Sequence, residues 1–318
     1  MEVVLKQLQF SLSITGPICL MLILGVLFKR IGLINDNFIE IGSKLVFQVT
    51  LPAMLFLSIV TTKHDFSAAS QFIGFGIISG IAFFLFTLIS VRLFFKSSPD
   101  QGVIIQGGFR ANTGIIGIAY VANAFGSSGV ALGALFVAAT TFLYNIQAVI
   151  CLSPRGSASG MQALKMMGKT LTKNPLIIAI SLGLLFYVLA IPVPTVITEA
   201  GNYLSKMTLP LALLCTGGSL NMNALKAEKT AQWFASSYKL IIAPVLITSI
   251  AYWVGFRGIE LGILFFMNAS PVAAASYVMA RSMGGNSILA ANIIAFTTVA
   301  STITCTLGVL ILQTYSLI

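Results

Sequence analysis

The chain has 318 residues, 57% of them apolar, and its 18 basic and 8 acidic side chains make only 8% charged. Ordinary soluble domains carry about 25% charged residues, so a mean hydropathy of +0.98 excludes the soluble classes and requires lipid as solvent. The net charge of +10 lies scattered between apolar runs, with no stripe to neutralise successive phosphates, which excludes nucleic acid as a partner. Cys19, Cys151, Cys215 and Cys305 lack metal-ligand or redox spacing, and His64 is the single histidine. No metal and no other cofactor is expected from such a set.

In chain order, apolar runs of about 20 residues, the length that crosses a bilayer core, predict ten helices. They cover 10–30, 38–61, 69–95, 101–124, 128–151, 174–191, 199–220, 231–255, 259–282 and 286–313. The first run has no small-residue cleavage site and reads as a span rather than a signal peptide. Helix 2 contains Pro52, and helix 7 contains Pro210 in the same Thr-Leu-Pro setting. Helices 4 and 5 are divided by the turn Gly126-Ser-Ser-Gly129. A basic stretch, 152–173, joins the halves and reads as a cytoplasmic linker. Loops following odd-numbered helices outweigh the opposite side in Lys and Arg by about three to one, which places both termini outside.

At a constant offset of 158, Pro17 meets Pro175, Leu24–Phe28 meets Leu182–Phe186 and Val49–Leu55 meets Met207–Leu213. Gly126 likewise meets Gly284, and Thr140 meets Thr298. The expected architecture is an all-α integral membrane protein with ten transmembrane helices in two inverted five-helix repeats, 1–151 and 174–318. Such repeats are the basis of alternating access in transporters.

Two segments should break their helices. Helix 4 reads Gln-Gly-Gly-Phe-Arg-Ala-Asn-Thr-Gly over 106–114, and helix 9 reads Asn-Ala-Ser-Pro over 268–271. Glycines weaken a helix and proline removes a donor and clashes with the preceding turn. Irregular backbone at membrane depth is tolerated only where it is buried in protein or lines a wet cavity. Half-helix N-termini favour negative charge. Substrate-binding candidates are therefore Arg110, Asn112, Thr113, Gly114, Asn268, Ser270 and Pro271. Pro52, Pro210, Gly108 and Gly117 are candidates for cavity or hinge. Tyr144, Asn145 and Asn292 are secondary candidates, with packing the safer reading. Arg110 divides evenly between substrate contact and a reach to the headgroups, and the two asparagines also suit helix–helix hydrogen bonding. The acids lie at span ends, in first turns (Glu40, Glu199) or in loops, so no carboxylate proton relay is visible and the coupling ion stays open between proton and sodium. A channel would need a polar stripe or charge ring, and a membrane enzyme a nucleophile–base set. Neither is visible, and a sensor would leave the paired breaks without a purpose.

The chain resembles the auxin efflux carrier family, in its short bacterial permease branch. The resemblance rests on Leu51-Pro52, Asn112-Thr113-Gly114, Leu209-Pro210 and Asn268-Ala269-Ser270-Pro271, in that order along the whole chain. It implies a secondary transporter sharing the fold of bile-acid sodium symporters and sodium/proton antiporters, with broken helices 4 and 9 crossing at the substrate. It further implies a scaffold of helices 1, 2, 6 and 7, often dimeric, and a moving transport domain of helices 3–5 and 8–10. Asn112 and Asn268, with Ser270 and Pro271, would meet a carboxylate such as malate, malonate or an auxin-like aromatic acid, in a bacterial inner membrane. The short linker and the missing paired acids depart from the family pattern and speak against auxin specificity and simple sodium coupling.

Overall fold

The computed structural model describes residues 2–61, 69–152, 174–220 and 229–318. His64 and most of the basic linker, including Arg155, Lys165, Lys169 and Lys173, lie outside the described residues. Every regular element is helical. We number them α1 (Glu2–Arg30), α2 (Asp36–Val60), α3 (Ala69–Phe94), α4 (Gln101–Phe109) and α5 (Thr113–Leu152). After the linker come α6 (Pro175–Val188), α7 (Thr195–Ser219), α8 (from Lys229 to Val254), α9 (Gly258–Ala269), α10 (Ala275–Ser282) and α11 (Ser287–Thr314).

The ten-helix expectation is corrected. Among the described residues six helices are long and apolar enough to cross a membrane: Gln7–Arg30, Asp36–Val60, Ala69–Phe94, Thr113–Leu152, Thr230–Val254 and Ser287–Thr314. No clear ten-helix inverted repeat accompanies them. The physical reason is local. The expected helices 4 and 9 are interrupted, leaving α4 with 9 residues and α9 with 12, about 14 and 18 Å of rise against a core of about 30 Å. The expected helix 6 shortens to the 14 residues of α6. α7 has the length, but Glu199, Asn202 and Lys206 dilute its apolar character.

α5 is folded on itself. Gly126 has φ 61° and ψ −150° inside the helical run. A Cβ on Gly133 would stand 3.6 Å from Val121 Cγ1, whereas twelve residues of straight helix span about 18 Å. The chain therefore doubles back at Gly126, where a left-handed φ suits glycine.

Prolines are accommodated in two ways. In α2 a π-turn at Val46–Thr50 has the Leu51 N–H donating to Val46 O, five residues back, directly before Pro52. In α8 a π-turn at Tyr238–Ile242 has the Ala243 N–H donating to Tyr238 O, directly before Pro244. The widened turn absorbs the missing donor without ending the helix. Pro210 instead lies within the uninterrupted α7.

α1 packs on α7 and α11, α2 on α6 and α7, and α3 on α4 and α5. α8 packs on α4, α9 and α11. Gly25 and Gly217 let the backbones of α1 and α7 touch, since a Cβ on either would collide with Leu214 O or Leu22 O; small residues at such crossings are what dispersion-driven membrane packing needs. Buried hydroxyls fold back on their own helices, as Thr87 Oγ1 does on Phe83 O (2.8 Å) and Thr140 Oγ1 on Phe136 O (2.7 Å). Long helices keep apolar side chains outward, with Ile78, Phe94, Trp253 and Ile303 all exposed. That is the surface lipid requires. Two apolar cores result, one around α1, α2, α5, α6, α7 and α9, the other around α3, α4, α8 and the start of α11. The interruptions after α4 and α9 lie where the cores meet.

Candidate functional site

α4 stops at Phe109. Arg110 turns extended (φ −76°, ψ 106°), Asn112 takes φ −83° and ψ 63°, and α5 begins in a π-turn at Thr113–Gly117. α9 stops at Ala269, and Ser270 is extended (φ −64°, ψ 147°). Pro271 dictates that conformation, because its ring disfavours the helical region for the residue before it. The two interrupted strands of chain then pair. Ala111 and Val272 form an antiparallel bridge, with the Asn112 N–H donating to Pro271 O (2.7 Å) and the Ala273 N–H to Arg110 O (3.3 Å). The Val272 N–H donates to Thr297 Oγ1 of α11 (3.2 Å). Each break supplies the hydrogen bonds the other lacks, which is how non-helical backbone survives away from water.

A cavity of about 520 Å³ lies against this crossing. Arg110, Asn112, Thr113, Gly114, Tyr144 and Asn145 line it, with Ser43 and Lys44 of α2, Thr141, Asn174 and Ala273–Ala275 on other walls. The first residues of α5 and of α10 thus both face it, presenting the positive ends of two helices. Among the described residues no carboxylate lines the cavity. The Arg110 guanidinium is held between Asn145 Oδ1 (2.8 Å) and Met279 Sδ (2.7 Å). It is buried and orders the wall rather than reaching away.

The second break turns its side chains inward. Asn268 Nδ2 donates to Leu264 O (2.8 Å) and Ser270 Oγ to Met267 O (2.8 Å), both within α9. Asn268, Ser270, Pro271 and Asn292 are buried and none lines the cavity. Gly108 and Gly117 serve close packing: a Cβ would stand 2.7 Å from Thr87 Cγ2 at the first and 2.9 Å from Met267 Sδ at the second. Pro52 is buried in α2 beside the cavity-lining Leu51. Pro210 lines a different cavity of about 460 Å³, with Leu57, Thr61, Asn123, Ser127 and Lys206, at the far end of α2.

Sequence reasoning passed over Lys44 and Lys239. Lys239 sits in the α8 π-turn, fully buried, with its ammonium donating to Asn268 O (2.6 Å). The signal was present, since a basic residue within an apolar span is costly unless it has a use. It fell inside the expected helix 231–255 but was not weighed as a site candidate.

Over residues 15–309 the sequence matches a family described as membrane transport protein. The chain belongs to the membrane transport protein family. It is 23% identical over 266 residues to an uncharacterized transporter of Methanothermobacter thermautotrophicus, covering 83% of this chain and 85% of that one. Transporter MJ1031 of Methanocaldococcus jannaschii is 24% identical over 276 residues, 82% of this chain and 86% of the relative. Transporter YfdV of Escherichia coli is 22% identical over 309 residues, 92% and 96% of the two chains. This family member is a membrane transporter. Among the described residues no group of His, Cys, Asp and Glu is placed to hold a metal ion.

Proposed function

We propose that the protein moves small organic anions, mono- or dicarboxylates such as malate or malonate, across the membrane by alternating access. The observation that carries this reading is the wall of the cavity at the crossing. Two helix N-termini, Arg110 and Lys44 face it and, among the described residues, no carboxylate does, so a negative charge is stabilised there and a cation is not. Asn112, Thr113 and Asn145 add hydrogen-bonding groups that orient a carboxylate.

Access from both sides is supported by the second cavity. Leu51 lines the first cavity and Met54 the second, so the two approach within a helical turn on α2 as separate spaces. A carrier that closes one while opening the other needs such a pair; a channel needs one continuous path.

The test is uptake of labelled malate, malonate and an aromatic carboxylate into proteoliposomes, beside Arg110→Ala and Asn112→Ala. Saturable uptake of an acid, lost in Arg110→Ala, is the expected result. Saturable uptake left intact in both variants overturns the assignment of the cavity, and uptake of cationic or neutral solutes alone overturns the anion.

A further inference from the structure

α8 carries a polar strip that the anion cavity does not use. Gln232, Ser236 and Lys239 recur at i, i+4 and i+7, which puts them on one helical face, and they are 4%, 2% and 0% exposed. α4 packs on this part of α8: a Cβ on Gly107 would stand 3.2 Å from Ala235 Cβ. Gln106, beside that glycine, is also fully buried. Both amide atoms of Gln106, Gln232 Oε1 and Ser236 Oγ bond to no protein group. Buried polar atoms of this kind are costly when dry and are ordinarily satisfied by internal water. Amides and hydroxyls both donate and accept, the property that proton passage through internal water requires.

The strip ends on Lys239, whose Nζ meets Asn268 O at the C-terminal end of α9. Such half-helix ends and their freed carbonyls are where transporters hold their coupling cations. The elements packed on this turn are α4, α9 and α11, with α3, which carries Arg92, placing Phe83 and Phe86 against Tyr238. The titratable groups that these elements carry are few. α4 contributes none within its helix and Arg110 just beyond; α9 has Glu260, two turns before Asn268; α11 has Cys305. On α8 itself Tyr238 is adjacent. No carboxylate pairs with Lys239 in the hydrogen bonds it makes.

We propose that Lys239 carries the coupling proton of this transporter, exchanging it with water along Gln232, Ser236 and Gln106. In the release step an Nζ–H bond of the ammonium breaks, the proton passes to water and the electron pair stays on Nζ. The neutral amine keeps an N–H for Asn268 O, but the end of α9 loses one unit of positive charge. Loading reverses the step with a proton from bulk water. Proton state is thereby linked to the position of Asn268 and, through Pro271 and Asn112, to the cavity.

The inference rests on the anion-transport reading, so two independent measurements are needed. In proteoliposomes, malate–malate exchange and malate uptake driven by a pH gradient are compared for the unmodified protein, Lys239→Arg and Lys239→Met. Arginine keeps the charge but does not release its proton. The expected result is that Lys239→Arg retains exchange while its response to the gradient falls at least about tenfold, with Lys239→Met showing whether the charge is needed for folding. A gradient response preserved in Lys239→Arg overturns the proposal. Should the unmodified protein carry none of malate, malonate and the aromatic carboxylate, the anion reading fails separately, and the second measurement still decides. Lysine-labelled protein is titrated by NMR, and the Lys239 side-chain signal is identified by its loss in Lys239→Arg. A change of protonation between about pH 5 and about pH 9 supports the proposal; a signal fixed in one state over that range overturns it.

Discussion

The two interruptions, Arg110–Asn112 and Ser270–Ala274, are paired through the same antiparallel bridge, yet they present opposite faces. The first turns Arg110, Asn112 and Thr113 to the cavity. The second spends the polar atoms of Asn268 and Ser270 on carbonyls of its own helix and takes a further bond from Lys239. A helix C-terminus leaves carbonyls without partners, and at the end of α9 Ser270 Oγ takes Met267 O and Lys239 takes Asn268 O. A helix N-terminus leaves N–H groups, and the first residues of α5 line the cavity. In the proposed function the first break receives the ligand and the second holds shape.

Substitutions should separate these roles. The largest effect is expected from Arg110→Ala, which removes charge-assisted bonds worth about 1.5–3 kcal/mol each and the fork that orders Asn145. Initial uptake should fall by about a hundredfold, and Arg110→Lys should restore little because lysine lacks the fork. Next, Gly117→Val should lower the melting temperature of the purified protein, corresponding to about 1–3 kcal/mol, because its Cβ would press on Met267 where α5 meets α9. An unchanged melting curve would mean that the two helices are free to separate there. Asn112→Ala should weaken uptake by about tenfold, one hydrogen bond's worth, with unaltered stability. Asn268→Ala should do the reverse, costing about 1 kcal/mol of stability and leaving apparent affinity nearly unchanged. Similar affinity losses in both asparagine variants would erase the distinction between the breaks.

The location of both breaks was legible because its causes are local. Pro271 bars the helical region to Ser270, and Gly126 marks its reversal by its conformational freedom. The number of spans was not legible. An apolar run of 24 residues reads the same whether it is one helix or two short pieces, and only the pairing of Ala111 with Val272 shows what makes the broken form stable. Nor does sequence disclose which way an asparagine turns. Asn112 and Asn268 look equivalent in the chain, but the first is a non-helical residue that lines the cavity, while the amide of the second donates to Leu264 O of its own helix. Lys239 was hidden because burial by α4, α9 and α11 is a tertiary fact. The π-turns before Pro52 and Pro244 were hidden for a related reason: a proline signals a defect without saying how the helix absorbs it.

The central claim, that the ligand meets the first break and not the second, is tested most directly by thiol labelling. In protein whose Cys19, Cys151, Cys215 and Cys305 are replaced by alanine, a single cysteine is introduced as Ile115→Cys or as Ser270→Cys. Each is exposed to a water-soluble thiol reagent with and without malate. The structure predicts that the cysteine at position 115, on the cavity wall, reacts and is protected by malate, while the one at 270, fully buried, stays unreactive under both conditions. Reaction at 270 that malate blocks, with no protection at 115, would contradict the account and move the ligand to the second break.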